Sequence, residues 1–440
     1  MPDIHASGNL QVLGSWRTSS DLGFPTSDNA DNQTEFSASQ FFHFQFDVNR
    51  HDEVSFSLLL EEDTVWGKNK AGEFSGGQVG TDGVNIQTSH FFMQWMPEDA
   101  PLVTRLGLNS VVLPNQVGGN IILDDTVASI LATYHYSKNS TFTLLWGRPY
   151  YEDPAHTTMD LYALGLQYAP DDHILSPYIM FSDFGRDVSG DPLGDSWVDG
   201  GNIGLWNGFS DFSGNPWAVW AGLSGRYHIS SALSAKADLM WGTLDGGHDA
   251  ASRRGAVLLG ELSWYLQHMT VNLLGWWGTG DSSTAYKDGA GRMPFVTNQW
   301  GLTGFGYYRY GVTTEPSLVI QDTTGRWTLG LILSDINFID QFVSEIQLLY
   351  MRGTNHPDSV KNNRFSPELL EGGYRNNWGT YLTTHDWLIE LDAESTFSLY
   401  EELNLIFRFG YIHIDVDPSV WGTSDTKDAY KGTVILSYQF

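Results

Sequence analysis

Residues 42–48 read Phe42-His43-Phe44-Gln45-Phe46-Asp47-Val48, and after a short break at Asn49–Asp52 the chain continues Val54-Ser55-Phe56-Ser57-Leu58-Leu59-Leu60-Glu61. Apolar residues occupy every second position on both sides of the break. In an extended chain successive side chains point to opposite faces, so this stretch predicts two strands, each with one apolar face, joined as a β-hairpin. The unit recurs along the chain. Runs 84–96 and 101–110 flank Pro97-Glu98-Asp99-Ala100, 126–136 and 141–150 flank Ser137-Lys138-Asn139-Ser140, and 158–169 and 173–183 flank Pro170-Asp171-Asp172. Runs 217–229 and 232–243 flank Ser230-Ser231, 255–267 and 270–279 flank His268, 326–338 and 342–353 flank Asp340, and 382–398 and 402–415 flank Tyr400-Glu401.

Eight hairpins, a first strand near 5–17 and a last near 430–440 make about 18 strands; a missed or split hairpin gives 16 or 20. The region 285–325 is the hardest to read, since Leu302–Tyr310 has strand character inside a long loop. Between hairpins lie longer segments rich in Gly, Asp, Asn, Ser and Pro, such as 184–215, 280–324 and 354–380. Short turns at one end and long loops at the other are the asymmetry of outer-membrane barrels, in which the short turns are periplasmic. No window shows a competing helical period. The expectation is one all-β domain over residues 1–440, a transmembrane antiparallel β-barrel.

Composition agrees. The 440 residues include 47 Gly, 17 Trp, 20 Tyr and 24 Phe, and only 17% are charged. Plentiful Gly and aromatics with sparse charge suit a barrel with interfacial aromatic belts. No stretch approaches the roughly 18–20 apolar residues of a spanning helix. The formal net charge of −29 argues against nucleic acid, which requires a basic face. The absence of cysteine excludes thiol chemistry, disulfides and cysteine metal sites. The start, MPDIHASGNLQVLGSW, has neither a basic segment nor an apolar one, so it reads as a mature chain from which an export signal has been removed.

In 403–412, Leu403, Leu405, Phe407, Phe409 and Tyr411 share one face while Asn404, Ile406, Arg408, Gly410 and Ile412 share the other. A barrel of 16–18 strands is too wide to fill with side chains from its wall, so the polar set is expected to face an aqueous lumen. The chain ends Val434-Ile435-Leu436-Ser437-Tyr438-Gln439-Phe440, alternating to a terminal ring. Tyr438 and Phe440 resemble the terminal-strand signal read by the bacterial barrel-assembly machinery.

A more specific resemblance is carried by Trp66-Gly67-Lys68, Phe91-Phe92-Met93-Gln94-Trp95, Thr104-Arg105-Leu106-Gly107, Leu113-Pro114, Asp124-Asp125 and Leu145-Trp146-Gly147-Arg148-Pro149-Tyr150. These resemble the outer-membrane homotrimeric porins of Desulfovibrio-type sulfate-reducing bacteria. The resemblance is strongest over 40–150 and at the C-terminus. It implies a homotrimer in the bacterial outer membrane, in contact with lipid and lipopolysaccharide, that passes small hydrophilic solutes and ions by passive diffusion. In trimeric porins the loop after the fifth strand folds into the barrel. That position falls here on 111–125, whose apolar residues and Gly118-Gly119 suit a loop packed against an inner wall.

Candidate pore-lining or constriction residues are Asn115, Gln116, Asp124 and Asp125 of this loop, with Arg105 just before it. On lumen-phase positions of the strands they are Arg226, Lys236, Glu345, Glu390, Asp392, Glu394 and Arg408. Rings of charge select ions; Glu390, Asp392 and Glu394 form an acidic ladder on one strand face, which favours cations. Trp220, Tyr265 and Trp276 would make an aromatic track if they face inward, which would suit a channel selective for sugars or small anions. A plugged surface barrel is the remaining alternative. Enzyme signatures are missing: there is no GxSxG, HExxH or phosphate-binding loop. No cofactor is expected. The acidic, Gly-spaced run Asp187–Asp195 with Asp199 leaves a structural Ca²⁺ open against the commoner solvated loop.

Overall fold

The computed structural model describes residues 3–18, 35–51, 53–67, 86–152, 157–186, 188–190, 212–296, 324–363, 382–421, 426 and 428–440. In chain order the strands are β1 (Asp3–Arg17), β2 (Glu35–His51), β3 (Val54–Val65), β4 (Ile86–Trp95), β5 (Leu102–Val112), β6 (Asp124–Ser137), β7 (Ser140–Glu152), β8 (Thr157–Tyr168) and β9 (Ile174–Asp183). After them come β10 (Val188–Gly190), β11 (Phe212–Gly214), β12 (Trp217–Ser230), β13 (Leu233–Asp245), β14 (Arg253–Tyr265) and β15 (Thr270–Gly278). The last are β16 (Arg326–Ile339), β17 (Phe342–Gly353), β18 (Trp387–Ser398), β19 (Leu403–Asp415) and β20 (Ala429–Gln439).

Eighteen of these form one antiparallel sheet. Chain neighbours pair throughout, β9 pairs with β12, and β1 pairs with both β2 and β20, so the sheet closes. Closure removes the unpaired edges that an open sheet would expose. The short pair β10–β11 stands apart as a hairpin within the segment between β9 and β12, which the sequence reading had treated as loop. The last predicted hairpin begins later than expected, because β18 starts at Trp387 rather than at 382. The strand character of Leu302–Tyr310 lies outside the described residues.

The outer surface is apolar. Leu144, Leu164, Leu175, Leu239, Leu258, Leu273, Leu329, Leu348, Phe409 and Leu436 all present exposed side chains there. Burying them would stabilise by about 1.5–3 kcal/mol each, so such a surface is suited to hydrocarbon. Rings line both ends of this band. On the short-turn side stand Trp95, Tyr134, Tyr136, Tyr168, Tyr227, Trp264, Tyr400 and Tyr438. On the long-loop side Trp277 pairs with Trp327. The row continues through Tyr350, whose centroid is 5.5 Å from that of Trp327, then Trp387 at 6.0 Å and His413 at a further 5.3 Å. These are the two aromatic girdles of a bilayer-spanning barrel. No helix among the described residues is long and apolar enough to cross a membrane.

At the seam the backbone of Phe440 exchanges hydrogen bonds with Gly8, N–H to O at 3.1 Å and O from N–H at 3.0 Å. A Cβ on Gly8 would sit 2.5 Å from the Phe440 ring, so glycine there makes room for the terminal aromatic. Gly107 in β5 is a second enforced glycine: its φ is +136°, and a Cβ would lie 2.3 Å from the Phe91 carbonyl oxygen across the strand pair.

Candidate functional site: a lumen narrowed by inward-folded loops

The segment between β5 and β6 leaves the wall and lies inside the barrel. It is shorter than the 111–125 read from sequence, since Val111 and Val112 end β5 and Asp124 and Asp125 begin β6. Its base is closed by the Leu113 N–H to the Leu123 carbonyl at 3.1 Å. Gly118 and Gly119 take φ of +72° and +107°, conformations that side chains with a Cβ resist, and they turn the tip. Asn120 organises the return: its Oδ1 accepts from the N–H groups of Ile122 (2.8 Å) and Leu123 (3.1 Å), and its Nδ2 donates to the Pro114 carbonyl at 3.1 Å and to the Tyr178 hydroxyl at 3.2 Å.

The tip is pinned to the wall at β13. Asp238, fully buried, accepts the N–H of Gln116 at 3.0 Å and of Val117 at 2.7 Å. The Ser224 hydroxyl on β12 donates to the Pro114 carbonyl at 2.8 Å. Beneath the loop Val117, Ile121, Ile122 and Leu123 lose all exposure against Met159, Leu161, Met180, Trp220 and Met240 of β8, β9, β12 and β13.

A second segment, after β15, also folds in. Asp281 pairs with Arg292 at 3.0 Å and accepts the Gly291 N–H at 2.7 Å; the Arg253 Nε donates to the Arg292 carbonyl at 3.0 Å. The Trp220 indole donates to the Pro294 carbonyl at 2.7 Å. The two loops meet where the Val296 N–H donates to the Ile122 carbonyl at 2.7 Å. Asn355 ties the next loop to this one, accepting from the Asp281 N–H at 2.8 Å and donating to the Leu382 carbonyl at 2.8 Å. Asp386 then accepts from the Thr383 N–H and hydroxyl (2.7 and 2.6 Å), the Asp417 N–H (2.8 Å) and the Trp421 indole (2.9 Å).

These loops change what the inner wall looks like. The expectation that the inward set is polar holds for the short-turn half of the barrel. In the long-loop half, Val257, Leu274, Leu349, Met351, Leu388, Ile412 and Ile414 face inward and are buried in one apolar core with the loops. The wall alone could not fill an 18-stranded interior, but wall plus folded-in loops can. Trp220 and Trp276 do face inward, yet both are almost completely buried in this core, so they anchor loops rather than form a track. Tyr265 faces inward at the opposite end, its hydroxyl 2.9 Å from the Ser234 Oγ.

The predicted residues fall into three groups. The first is in the short-turn half. Arg105 lies beside Gln94, its Nε donating to Oε1 at 2.7 Å, with its guanidinium 5.1 Å from the Phe92 ring centre. Arg226, Lys236 and Glu261 form one row across β12–β14, and Lys236 pairs with Glu261 at 2.6 Å. Glu345, Glu394 and Arg408 form another across β17–β19, and Arg408 pairs with Glu394 at 2.6 Å. The second group is covered: Glu390 is fully buried between the register partners Leu349 and Ile412, and Asp392 is nearly so, opposite Gly410. The acidic ladder is therefore open only at Glu394. The third group belongs to the loop. Asn115 donates to the Leu113 carbonyl at 3.1 Å, Gln116 contributes its backbone to Asp238, and Asp125 pairs with the inward Val111. Asp124 stands opposite Val112 in the register, and its carboxylate turns back to the Asn120 backbone of the loop.

The wall facing the loops on β2–β5 adds residues the candidate set lacked. His43 lies 3.4 Å from Glu61, and Ser57 Oγ lies 3.2 Å from His90. Gln45 donates to Asp47 at 2.9 Å. Asp47, Glu61, His43 and His90 carried no signal beyond their phase in the alternation. Among the described residues no group of three or more His, Asp or Glu is placed to hold a metal ion. Of the acidic run at 187–199, only Val188–Gly190 is described, as β10.

No protein-family model matches the chain, and no curated protein matches it. Solved structures do. It is similar to Pseudomonas aeruginosa OccK9 (OpdG), with a TM-score of 0.58 and 11% identity over 100% of this chain and 98% of that one. It is similar also to OccK8 (OprE) of the same organism, at 0.56 and 12% over 100% and 98%, and to OccK11 (OpdR), at 0.54 and 12% over 100% and 96%. At this identity the likeness is one of architecture, and on that ground the chain shares the closed 18-stranded barrel fold of these Pseudomonas proteins from end to end.

Proposed function

We propose that this protein is a porin of the bacterial outer membrane that gives passive diffusion to small hydrophilic solutes and ions. The observation that carries the reading is the loop 113–123, held inside a closed barrel by Asp238, with the charged side chains of Arg105, Glu394 and Arg408 on the inner wall away from it. The apolar outer band between two aromatic girdles supports a membrane location, and the short-turn side is then periplasmic. Nothing in the geometry calls for catalysis, and we read the chain as a channel rather than an enzyme, with no cofactor. The residues quoted above support the finer placing among homotrimeric porins of the Desulfovibrio type. Tyr438 and Phe440, at the seam, suit recognition by the barrel-assembly machinery, and the girdles suit contact with lipid and lipopolysaccharide.

A second reading, a channel selective for sugars or small anions, is favoured by one feature. The loops fill much of the long-loop half, and Arg105, its guanidinium over the Phe92 ring, stands on the wall of the other half where a small anion could be met. Planar-bilayer recording separates the two. Large, ohmic current that does not saturate with salt supports general diffusion, block by one solute class supports selectivity, and a silent barrel would refute both.

A further inference from the structure

Two imidazoles stand on the inner wall of β2–β4. His43 on β2 is the register partner of Glu61 on β3, and His90 on β4 is that of Leu59, two residues along the same strand. The His43 Nε2 lies 3.4 Å from the Glu61 carboxylate, and both side chains are open to water, 31% and 24% exposed. His90 is half-buried; its Nε2 lies 3.2 Å from the Ser57 Oγ, and its ring centre lies 5.4 Å from that of Phe92, over which Arg105 rests.

Each strand around the pair adds groups that face it. From β1 come Asn9, partner of His43, and at the mouth His5, partner of Asp47 and bonded to Asp3 at 3.0 Å. β2 adds Asp47, held by Gln45, and the Phe41 ring 4.0 Å from that of His43. β3 adds Glu61 and Ser57, with Asp63 buried opposite Phe41. β4 adds Gln94, which holds Arg105 of β5.

Within the open part of the bore this wall has two carboxylates, Asp47 and Glu61, and one guanidinium, Arg105. Neutral imidazoles leave it one net negative charge, and two protonated ones turn that into one net positive charge. The other two rows offset each other: Arg226, Lys236 and Glu261 carry one positive charge together, and Glu345, Glu394 and Arg408 one negative. Imidazole changes charge between about pH 5 and 8, whereas carboxylates ordinarily titrate near pH 4, so between them lies a window that belongs to histidine.

On the porin reading above, we propose that His43 and His90 form a titratable selectivity site in the bore, which turns its preference toward cations when the imidazoles are neutral and toward anions when they are protonated. The two steps act in the same direction. A proton on His43 meets Glu61 and takes that carboxylate out of the field, and a proton on His90 adds a cation beside Arg105. A unit charge about 7 Å from an ion in water alters the ion's population roughly threefold. Salt shortens the reach of that charge to about 10 Å at 0.1 M, so the effect is read in dilute solution.

The test is the ratio of potassium to chloride permeability in the full chain, taken from single-channel reversal potentials in planar bilayers with about 0.1 M KCl against about 0.01 M, at about pH 8 and about pH 5.5. In the wild type the ratio should fall about threefold or more on acidification. His43→Gln with His90→Gln keeps polar side chains without a titrating charge, and its ratio should change little; each single variant should keep part of the change. His90→Arg fixes the charge and should lower the ratio at pH 8 toward the wild-type value at pH 5.5. The heat-modifiable band on gels reports that each variant is folded. Buried Asp63, the other carboxylates and His5 are unaltered in these variants, so a double variant that shifts as the wild type does assigns the change to them and overturns the site. An unmoved wild-type ratio, or a His90→Arg ratio at pH 8 equal to that of the wild type, overturns it as well. A folded barrel that passes no current at either pH refutes the porin reading and the site with it, whereas a conducting barrel with a fixed ratio refutes the site alone.

Discussion

Asp238 holds two backbone amides of a loop that begins and ends on other strands, and the carboxylate is fully buried. In Asp238→Ala those two amides lose their acceptor, at about 1–3 kcal/mol for each buried group left unsatisfied. About 1.4 kcal/mol is a tenfold change in population, so the tip should leave the wall for a measurable fraction of the time. The expected outcome is larger and noisier single-channel conductance, with a milder change in Asp238→Asn, which keeps one oxygen. Traces indistinguishable from wild type would show that the loop is held by its apolar face alone. Arg105→Ala removes a cation from the short-turn half of the lumen, and the reversal potential under a salt gradient should move toward cation selectivity; an unmoved potential would take Arg105 out of the ion path. Asp238 could not be singled out in the sequence, because its partner Gln116 is 122 positions away and alternation marks every inward acid alike. Arg105 and Asp125 were legible from phase and position. Asp124, read with the loop, begins β6 in the structure but bonds the loop through Asn120.

At the scale of elements, the strands were readable because each carries its own evidence: a period of two bounded by turn residues. The loops were not, since their structure comes from contacts with distant parts of the chain. Apolar residues such as Ile121, Ile122 and Leu123 betrayed one inward loop. The one after β15 carries the same kind of apolar run at Met293, Phe295 and Val296, but lies inside a long Gly-rich segment where that run was not separated from the rest; its fold depends also on the Asp281–Arg292 pair and on Asn355. Because those loops were not foreseen, neither was the burial of Glu390. The clasp formed by residues 382–386 and 416–421 has a pH dependence of its own. His385 lies 2.5 Å from Asp417, and this hydrogen bond, with those from Ser419, pulls the Asp417 carboxyl down from its ordinary 3.8 to about 2. A carboxyl lowered on folding contributes stability above its unfolded value and loses that contribution as pH falls through the folded one. The clasp should therefore loosen between roughly pH 4 and pH 2. Hydrogen exchange at Asp417 and Ser419 measured across that range should rise, and in His385→Ala the rise should begin at higher pH. A flat profile in both would mean that Asp386 and Trp421 carry the clasp without this pair.

For the molecule as a whole, fold class and strand number were legible because a closed barrel repeats one local pattern, whereas the filling of its interior depends on segments that leave that pattern. The seam joins the two strands farthest apart in the sequence, and Phe440 sits on it, bonded through its backbone to Gly8 with its ring in the space that glycine leaves. Deleting Phe440 removes two hydrogen bonds, worth about 0.5–1.5 kcal/mol each, and exposes the edge of β1. The folded fraction, seen as the heat-modifiable band on gels, should fall, and assembly into vesicles should slow; wild-type kinetics would place the closing signal elsewhere. A different consequence follows from where the constriction is anchored. The loop at 113–123 is made early in synthesis, but its catches, Ser224, Asp238 and Val296, are made about a hundred residues or more later. Contacts so distant in sequence form late, since chain entropy must be given up first. The filter is therefore among the last parts to set, and a barrel halted halfway would hold its walls but not its bore. An outer membrane that inserts such a protein has reason to admit only copies whose bore has set.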